Sequence, residues 1–301
     1  MTELEAFSVV LPAFDEEKGL LATLTELRAV LAGGTRPYEI VVVDDGSRDG
    51  TPAVLATCRD VTVVRHAHNR GYGAALKTGI ATARHPIVVV MDADGTYAPG
   101  AVPRLVEGCA DADMVVGARL GAQVQGDAAR GAVKWCFRQF AQWITGARIP
   151  DLNSGLRAFR RHVAERCLGL LPDGFSFTTT ITVASLIDRL TVRFEVVDYM
   201  PRIGRSKVRP IRDTLRIARQ LLRLGVHLAP LRTAAALALP LLLVGLAALA
   251  AHLWRTGSAG VGEAVALALG LLVLAVGAAA ERRARRRRDL AGLLPSPSAS
   301  A

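Results

Sequence analysis

The stretch IVVVMDADGTY, residues Ile87–Tyr97, decides the fold, because an apolar run leads directly into two carboxylates. A short continuous apolar run of this kind is typical of a strand that is covered on both faces, as in a parallel sheet. Asp92 and Asp94 follow at the end of the run, where a buried charge needs a compensating partner. We therefore expect a parallel α/β sheet with an acidic site at the end of this strand.

The residues before this stretch repeat a pattern of strand, turn and helix. Strand-like runs begin at Phe7, Tyr38 and Val61, and helical periods begin near Leu20 and Tyr72. This alternation predicts a mostly parallel, doubly wound sheet. In such sheets, ligands bind beyond the carboxyl ends of the strands. Four aspartates lie at those ends: Asp44, Asp45, Asp92 and Asp94.

Charge and hydrophobicity are concentrated in the last third of the chain. Residues 201–301 carry 16 Lys/Arg and 4 Asp/Glu, a net +12, so the remaining 21 and 23 leave residues 1–200 at −2. Two apolar spans, Thr233–Trp254 and Ala264–Ala280, are each long enough to cross about 30 Å of hydrocarbon, the second only just. Because the basic excess flanks these spans, we expect a membrane partner and no nucleic acid. A helical hairpin buried in a soluble fold is the alternative.

The segment before the first span, Pro210–Pro230, combines apolar stripes with a row of arginines. This pattern is typical of a helix that lies in the membrane interface; a solvated helix packed on the sheet domain is the alternative. Arginines flank the two spans on their outer sides, which predicts an inner-membrane, multi-pass protein with its sheet domain and both termini in the cytosol. The expected organisation is a sheet domain at 1–208, an amphipathic helix at 209–230, a transmembrane hairpin at 231–282 and a basic, disordered tail at 283–301.

An ordered set of motifs resembles family 2 glycosyltransferases, which are inverting enzymes of the GT-A fold. The motifs are VVLPAFDEE, VVVDDGSRDGT, RGYGAALKTG, MDADG and GAR. The later segments DLNSGLRAFRR (Asp151–Arg161), GFSFTTTI and RIGRSK (Arg202–Lys207) resemble the branch that transfers sugars to polyprenyl phosphates, such as dolichyl-phosphate mannose synthases. The resemblance implies transfer of one sugar, with mannose or glucose expected first, from a GDP- or UDP-linked donor to a polyprenyl phosphate.

The resemblance also implies a nucleotide-sugar site. Asp92 and Asp94 would hold Mg²⁺ or Mn²⁺ through oxygen, and Thr96 stands where some relatives have a glutamine ligand, so the metal's identity stays open. The other residues implied in nucleotide-sugar binding are Pro12, Phe14, Glu16, Asp44, Asp45, Asn69, Gly71, Gly73 and Ala93. Turn capping is the alternative for an aspartate of the DDGS segment, and a plain glycine helix start is the alternative for the two glycines.

On the acceptor side, the resemblance implies phosphate binding by Arg119, Arg130 and Arg202, with Ser206 and Lys207 closing over the site. Arginine suits this role because its planar fork binds two phosphate oxygens. Asp151 would orient the acceptor or the sugar, with a helix or turn cap as the alternative, and Ser154–Gly155 would allow a tight backbone approach. The implied catalytic residues are Asp94, Asp151, Arg119 and Arg202.

Two other functions remain open. A processive polysaccharide synthase of the same fold usually has a Q-x-x-R-W segment, which QFAQW (Gln139–Trp143) resembles only in part, because glutamine replaces the arginine. A catalytically silent, membrane-associated binding protein is the second alternative. The sequence leaves open whether the protein forms a homo-oligomer.

Overall fold

The computed structural model describes residues 5–119, 128–201, 210–258 and 260–293. Three of the expected acceptor-side residues, Arg202, Ser206 and Lys207, lie outside these ranges, and only the backbone of Arg130 is described. The chain forms two compact units, residues 1–138 with 148–220, and residues 139–147 with 221–301.

The first unit is a sheet domain with helices between its strands. Its strands are β1 (Phe7–Ala13), β2 (Tyr38–Asp44), β3 (Thr62–Arg65), β4 (Ile87–Val90), β5 (Met114–Ala118), β6 (Arg157–Arg160) and β7 (Val192–Val196). Its helices are α1 (Leu20–Ala32), α2 (Thr51–Ala56), α3 (Tyr72–Thr82), α4 (Val102–Gly108), α6 (Arg161–Cys167) and α7 (Phe177–Ile187). Helix α5 (Ala128–Thr145) begins in this unit, and so does α8 (Pro210–Leu228).

The seven strands form one sheet in the order β3-β2-β1-β4-β6-β5-β7. All neighbouring pairs are parallel except those of β6, which runs antiparallel to β4 and β5. Strands β1 and β4 are buried at every position, in accordance with their continuous apolar runs. The expected mostly parallel sheet is therefore confirmed.

The close packing of helix α3 against strand β1 helps to hold the end of the sheet at which the aspartates lie. A Cβ on Gly79 would lie 2.3 Å from Val10 Cγ1, so only glycine allows this approach of helix to strand. Met91, which follows β4, donates its N–H to Val10 O at 3.1 Å. The chain that carries Asp92 and Asp94 thus leaves the centre of the sheet directly beside β1.

Two elements of the sheet domain have no clear pattern in the sequence. Strand β6 reads RAFR, and its arginines do not predict a strand in the interior of a sheet. Helix α7 reads FTTTITVASLI, in which β-branched residues favour a strand by propensity. Its first nine residues are nonetheless buried, so tertiary packing overrides the local preference.

The second unit contains α9 (Pro230–Thr256) and α10 (Val261–Leu293). Both helices are long and apolar enough to cross a membrane, and only 17% and 11% of their most apolar windows are buried. Such exposure disfavours the alternative of a hairpin buried in a soluble fold. Helix α10 continues to Leu293, so the first part of the expected disordered tail at 283–301 is helical.

Residues 139–147 are tied to the start of α9 within this unit. Trp143 Nε1 donates to Arg232 O at 2.7 Å, and Arg232 Nη1 donates in return to Ile144 O at 3.0 Å. Trp143 is the last residue of the QFAQW segment. Its indole is therefore engaged with the backbone of α9 in this structure.

Candidate active site

The two carboxylates that follow β4 are held by different neighbours. Asp94 is only 2% exposed, and its Oδ1 accepts hydrogen bonds from the N–H and the hydroxyl of Thr96 at 3.1 and 2.6 Å. Asp92 is half-buried, and its Oδ1 accepts a hydrogen bond from the hydroxyl of Tyr72 at 2.8 Å. Thr96, at the position where some relatives have glutamine, thus orients one of the two acids.

Gly155 leaves room for the Asp92 carboxylate. A Cβ on Gly155 would lie 2.2 Å from Asp92 Oδ2, closer than two such atoms approach one another. The glycine is itself held, because its N–H donates to the hydroxyl of Tyr97 at 2.7 Å and the adjoining Ser154 hydroxyl donates to Gly117 O. We expected a tight backbone approach at Ser154–Gly155. Within the described residues, it is the Asp92 side chain that lies close to the backbone of Gly155.

Arg119 and Asp151 form a two-pronged ion pair. Arg119 Nε and Nη2 donate to the two carboxylate oxygens at 2.7 and 2.9 Å, and the Arg119 N–H adds a third bond at 3.1 Å. The guanidinium also lies over the ring of Tyr199, 5.2 Å from its centroid. Burial acts to raise the pKa of Asp151, but the hydrogen bonds and charge of Arg119 outweigh it and lower that pKa. Both side chains are thus charged and fixed in direction before any ligand binds.

Arg157, at the start of β6, is a buried cation for which we assigned no site role from the sequence. Its side chain is 0% exposed, and its Nη1 donates to Thr178 O and Thr182 Oγ1 at 3.0 and 3.1 Å. Within the described part of the chain, its Nε has no hydrogen-bond partner.

Burial lowers the pKa of the Arg157 guanidinium, while Tyr72, Tyr97, Asp151 and Asp92 act to raise it. The buried Arg157 guanidinium therefore interacts electrostatically with Asp92 and Asp151. In the sequence, Arg157 lies within the DLNSGLRAFRR segment, but nothing there indicates that its side chain is buried.

Asp44 caps a turn in this structure. Its Oδ1 accepts the N–H of Ser47 at 2.8 Å, its Oδ2 pairs with Arg65 Nε at 3.1 Å, and the carboxylate is almost fully buried. Ser47 in turn receives the N–H of Asp15 at 3.0 Å, which joins the loop after β2 to the loop after β1. These contacts agree with the turn-capping alternative, and a nucleotide role for Asp44 stays a prediction.

Asp45 binds the loop that precedes α3. Its two oxygens accept the N–H groups of Arg70 and Gly71 at 2.9 and 2.8 Å, and His66 Nδ1 lies 2.6 Å from Oδ1. The carboxylate is almost fully buried. Its described role is to shape the loop, and direct contact with a base or a ribose stays a prediction.

The glycines at the start of α3 accommodate protein backbone. A Cβ on Gly71, whose φ is +109°, would lie 2.5 Å from Asp173 O, and one on Gly73 would lie 2.1 Å from Pro172 O. The N–H groups of the second and third residues of the helix, Gly73 and Ala74, donate to Asp173 O at 2.8 and 3.1 Å. This end of α3 is thus already engaged by the chain, and contact of these glycines with a nucleotide stays a prediction.

The other residues expected to bind the nucleotide lie at the end of β1 and in the loop after it, before α3, and between the two carboxylates. Pro12 is buried at the end of β1, whereas Phe14 and Glu16 are half-buried in the following loop. The N–H of Glu16 donates to Thr51 Oγ1 at 2.8 Å, while Asn69 is exposed before α3. Ala93, between the two carboxylates, is buried.

The donor set of Asp92 and Asp94 fits a hard divalent cation. Both offer carboxylate oxygens, which Mg²⁺ and Mn²⁺ prefer over nitrogen or sulfur. Within residues 5–119, 128–201, 210–258 and 260–293, no group of three or more His, Cys, Asp or Glu side chains is placed to hold a metal. A cation here would need further oxygens from water and from substrate phosphates, which is how Mg²⁺ is usually bound in phosphate-handling sites.

A comparison with protein families matches residues 8–168 to the model described as glycosyl transferase family 2. The chain belongs to this family. The matched region of this family 2 protein contains β1 except Phe7, all of β2 to β6, and both carboxylates of the candidate site. The expectation drawn from the motifs is therefore confirmed at the level of the family.

Similar proteins include undecaprenyl-phosphate 4-deoxy-4-formamido-L-arabinose transferases. The one from Aeromonas hydrophila is 33% identical over 175 residues, which cover 56% of this chain and 52% of the relative. The one from Serratia proteamaculans is 31% identical over 210 residues, which cover 68% and 63%. The family 2 chain thus spans 52% and 63% of the lengths of these two curated relatives, which is less than two thirds of each.

Among solved structures, glucosyl-3-phosphoglycerate synthase from Mycobacterium tuberculosis, in complex with Mn²⁺, UDP and glucosyl-3-phosphoglycerate, has the same fold. The TM-score is 0.55 at 24% identity, and the match covers 73% of this chain and 79% of that one. At this identity the likeness establishes the fold, and the expected GT-A architecture of the family 2 domain is confirmed.

Proposed function

We propose that this protein is an inverting glycosyltransferase that moves a single sugar from a nucleotide sugar to a polyprenyl phosphate at the cytosolic face of a membrane. The observation that carries the proposal is the pair Asp92 and Asp94 beyond β4 in a family 2 domain. The named relatives and the two span-length helices support the polyprenyl phosphate as acceptor. We propose UDP first as the nucleotide of the donor, because the similar solved structure of glucosyl-3-phosphoglycerate synthase contains UDP.

In this mechanism, Asp92 and Asp94 hold a Mg²⁺ or Mn²⁺ ion, which supplies Lewis-acid stabilisation of the leaving diphosphate. An oxygen of the lipid phosphate forms the new bond to C1 of the sugar, the bond from C1 to the diphosphate breaks, and the configuration inverts. The lipid phosphate carries about −1.5 to −2 charge near neutrality, so it needs no strong general base.

The acceptor needs positive charge for binding and placement. Arg119 supplies a guanidinium that Asp151 and Tyr199 hold in one orientation, so little conformational entropy is lost when a phosphate binds. We propose Arg130, Arg202, Ser206 and Lys207 as its partners on the acceptor side. In this arrangement Asp151 orients the Arg119 guanidinium, so the effect of Asp151 on the acceptor is indirect.

We further propose that α9 and α10 cross the membrane and that α8 lies in its interface. Leu215 and Leu222 of α8 are exposed, and so are Arg212, Arg216 and Arg219. An exposed leucine face beside arginines suits an anionic lipid surface, with leucines toward acyl chains and arginines toward phosphates. The arginine-rich flanks support a cytosolic position for both ends of the hairpin.

The test of the function uses the full-length protein in detergent, undecaprenyl phosphate and three radiolabelled donors. These are UDP-glucose, GDP-mannose and UDP-4-deoxy-4-formamido-L-arabinose, the last because of the named relatives. Label in an organic-soluble lipid supports the proposal, and the donor used identifies the sugar. Label in a polymer would favour the processive synthase, and absence of product from all three donors would favour the silent binding protein.

A cysteine-labelling experiment tests the orientation. Ser258 lies between α9 and α10, native Cys136 is exposed in α5, and the other cysteines, Cys58, Cys109 and Cys167, are buried. In intact cells, we expect a membrane-impermeant maleimide to label the Ser258→Cys variant and to leave the wild type unlabelled, because only the hairpin loop faces outward. Permeabilised cells should label Cys136 in both proteins. Labelling of the wild type in intact cells would contradict the orientation.

A further inference from the structure

Tyr72 contacts the acidic site, yet we assigned it no role from the sequence. It is the first residue of α3, and its hydroxyl donates to Asp92 Oδ1 at 2.8 Å. Its ring is stacked on that of Phe175, with centroids 5.5 Å apart and an interplanar angle of 22°. The hydroxyl is the donor in its contact with Asp92, because a carboxylate oxygen can only accept.

The backbone beneath Tyr72 is held independently of this contact. The carbonyl of Asp173 accepts the N–H groups of Gly73 and Ala74, and the Asp173 carboxylate pairs with Lys77 one turn further along α3. Lys77 Nζ also donates to Leu171 O at 3.3 Å. These contacts link the segment from Leu171 to Phe175 to the first turn of α3. The Tyr72 ring is therefore held by its own backbone and by the Phe175 ring stacked on its face.

The Asp92 carboxylate is enclosed from two directions. Tyr72 donates to Oδ1, and Gly155 brings its Cα close to Oδ2, where any Cβ would overlap. The terminal torsion of an aspartate is broad, so the contacts at its oxygens decide how far the carboxylate plane turns. A donor on one oxygen and a backbone wall at the other restrict that rotation.

We propose that Tyr72 is a positioning residue for the divalent-cation site: through its hydroxyl it orients Asp92, and its stack on Phe175 holds it in place to do so. This inference rests on the proposed function, in which Asp92 is a metal ligand. Partners that orient metal ligands change metal affinity when they are removed, typically by about 10–100-fold. The role requires no direct contact between Tyr72 and the cation.

Removal of the Tyr72 hydroxyl tests the inference directly. We measure Mn²⁺ binding to full-length Tyr72→Phe and wild type by the electron paramagnetic resonance signal of free Mn²⁺, with UDP and separately with GDP. We expect the variant to bind Mn²⁺ about 10-fold more weakly, at the lower end for loss of such a partner. The KM for Mn²⁺ should rise in proportion, while kcat at saturating Mn²⁺ is largely retained, because saturating metal restores the occupied site.

Two further variants separate positioning from general damage. Tyr38→Phe makes the same chemical change on β2, where the ring packs near Phe7 with centroids 6.1 Å apart, and it should leave Mn²⁺ affinity unchanged. Phe175→Leu keeps the Tyr72 hydroxyl but removes the stacked ring, and it should weaken Mn²⁺ binding by a smaller factor. The metal-free thermal unfolding temperature of Tyr72→Phe should match that of the wild type.

The outcomes distinguish this inference from the proposed function. If the wild type binds Mn²⁺ with a nucleotide and Tyr72→Phe binds it equally or more tightly, the inference is overturned and the proposed function stands. If the wild type takes up no Mn²⁺ with either UDP or GDP, the metal-dependent part of the proposed function fails, and the inference fails with it.

Discussion

Replacement of Asp94 by asparagine is expected to reduce sugar transfer by at least about 100-fold, as is typical when one preorganised electrostatic group is lost. Asparagine keeps an Oδ1 that can still accept the two hydrogen bonds from Thr96, so the local turn is expected to survive. What the variant loses is the negative charge that would bind the cation. The effect should therefore appear in metal affinity and turnover, with little change in folding.

The measurement is the initial rate of labelled lipid formation, together with the thermal unfolding temperature of each protein. Asp111→Asn is the matched control, since the side chain of Asp111 is 84% exposed on the surface of the same domain. This control should show wild-type rates. A folded Asp94→Asn protein with unchanged turnover would contradict the assignment of the site.

The second large effect is expected from Gly155→Ala, which adds a single carbon atom. The new Cβ would lie 2.2 Å from Asp92 Oδ2 and 2.7 Å from its Cγ, so the carboxylate must turn away. Its hydrogen bond with Tyr72 would be disturbed by the same movement. Because a displacement of about 1 Å at a reacting centre can cost roughly 100-fold in rate, we expect a loss of that order.

Gly169→Ala is the matched control for this variant, because a Cβ on Gly169 has no atom within 4 Å. Both alanine variants are assayed for labelled lipid and for Mn²⁺ affinity. We expect Gly155→Ala to lose both and Gly169→Ala to lose neither. A Gly155→Ala protein with wild-type rate and affinity would show that the position of Asp92 is not important for transfer.

The parallel sheet and its acidic end could be predicted because their signals are local. Ile87–Val90 is a continuous apolar run that meets Asp92 and Asp94 within a few residues, and β1 and β2 repeat the pattern. The same holds for α9 and α10, whose apolar length is read from consecutive residues. These features depend on neighbours in the chain, and the structure confirms them.

Strand β6 could not be predicted because its burial depends on distant groups. The carbonyls of Ser154 and Thr178 and the hydroxyl of Thr182 accept hydrogen bonds from the two terminal nitrogens of the buried Arg157 guanidinium. Those partners belong to the preceding loop and to α7, which has its own ambiguous, threonine-rich sequence. Without these partners, a polar tetrapeptide gives no reason to expect an interior strand.

The sequence by itself therefore determined the class of fold, the family and the position of two carboxylates at the end of a central strand. Only the tertiary structure decided what those carboxylates and their neighbours touch: Tyr72 meets Asp92 across 20 positions, and Arg119 meets Asp151 across 32. The physical reason is that a strand and its polar end are encoded in adjacent residues through hydrophobic periodicity. Contacts between residues far apart in the chain depend instead on how whole helices and strands pack. That packing cannot be predicted from the spacing of neighbouring residues.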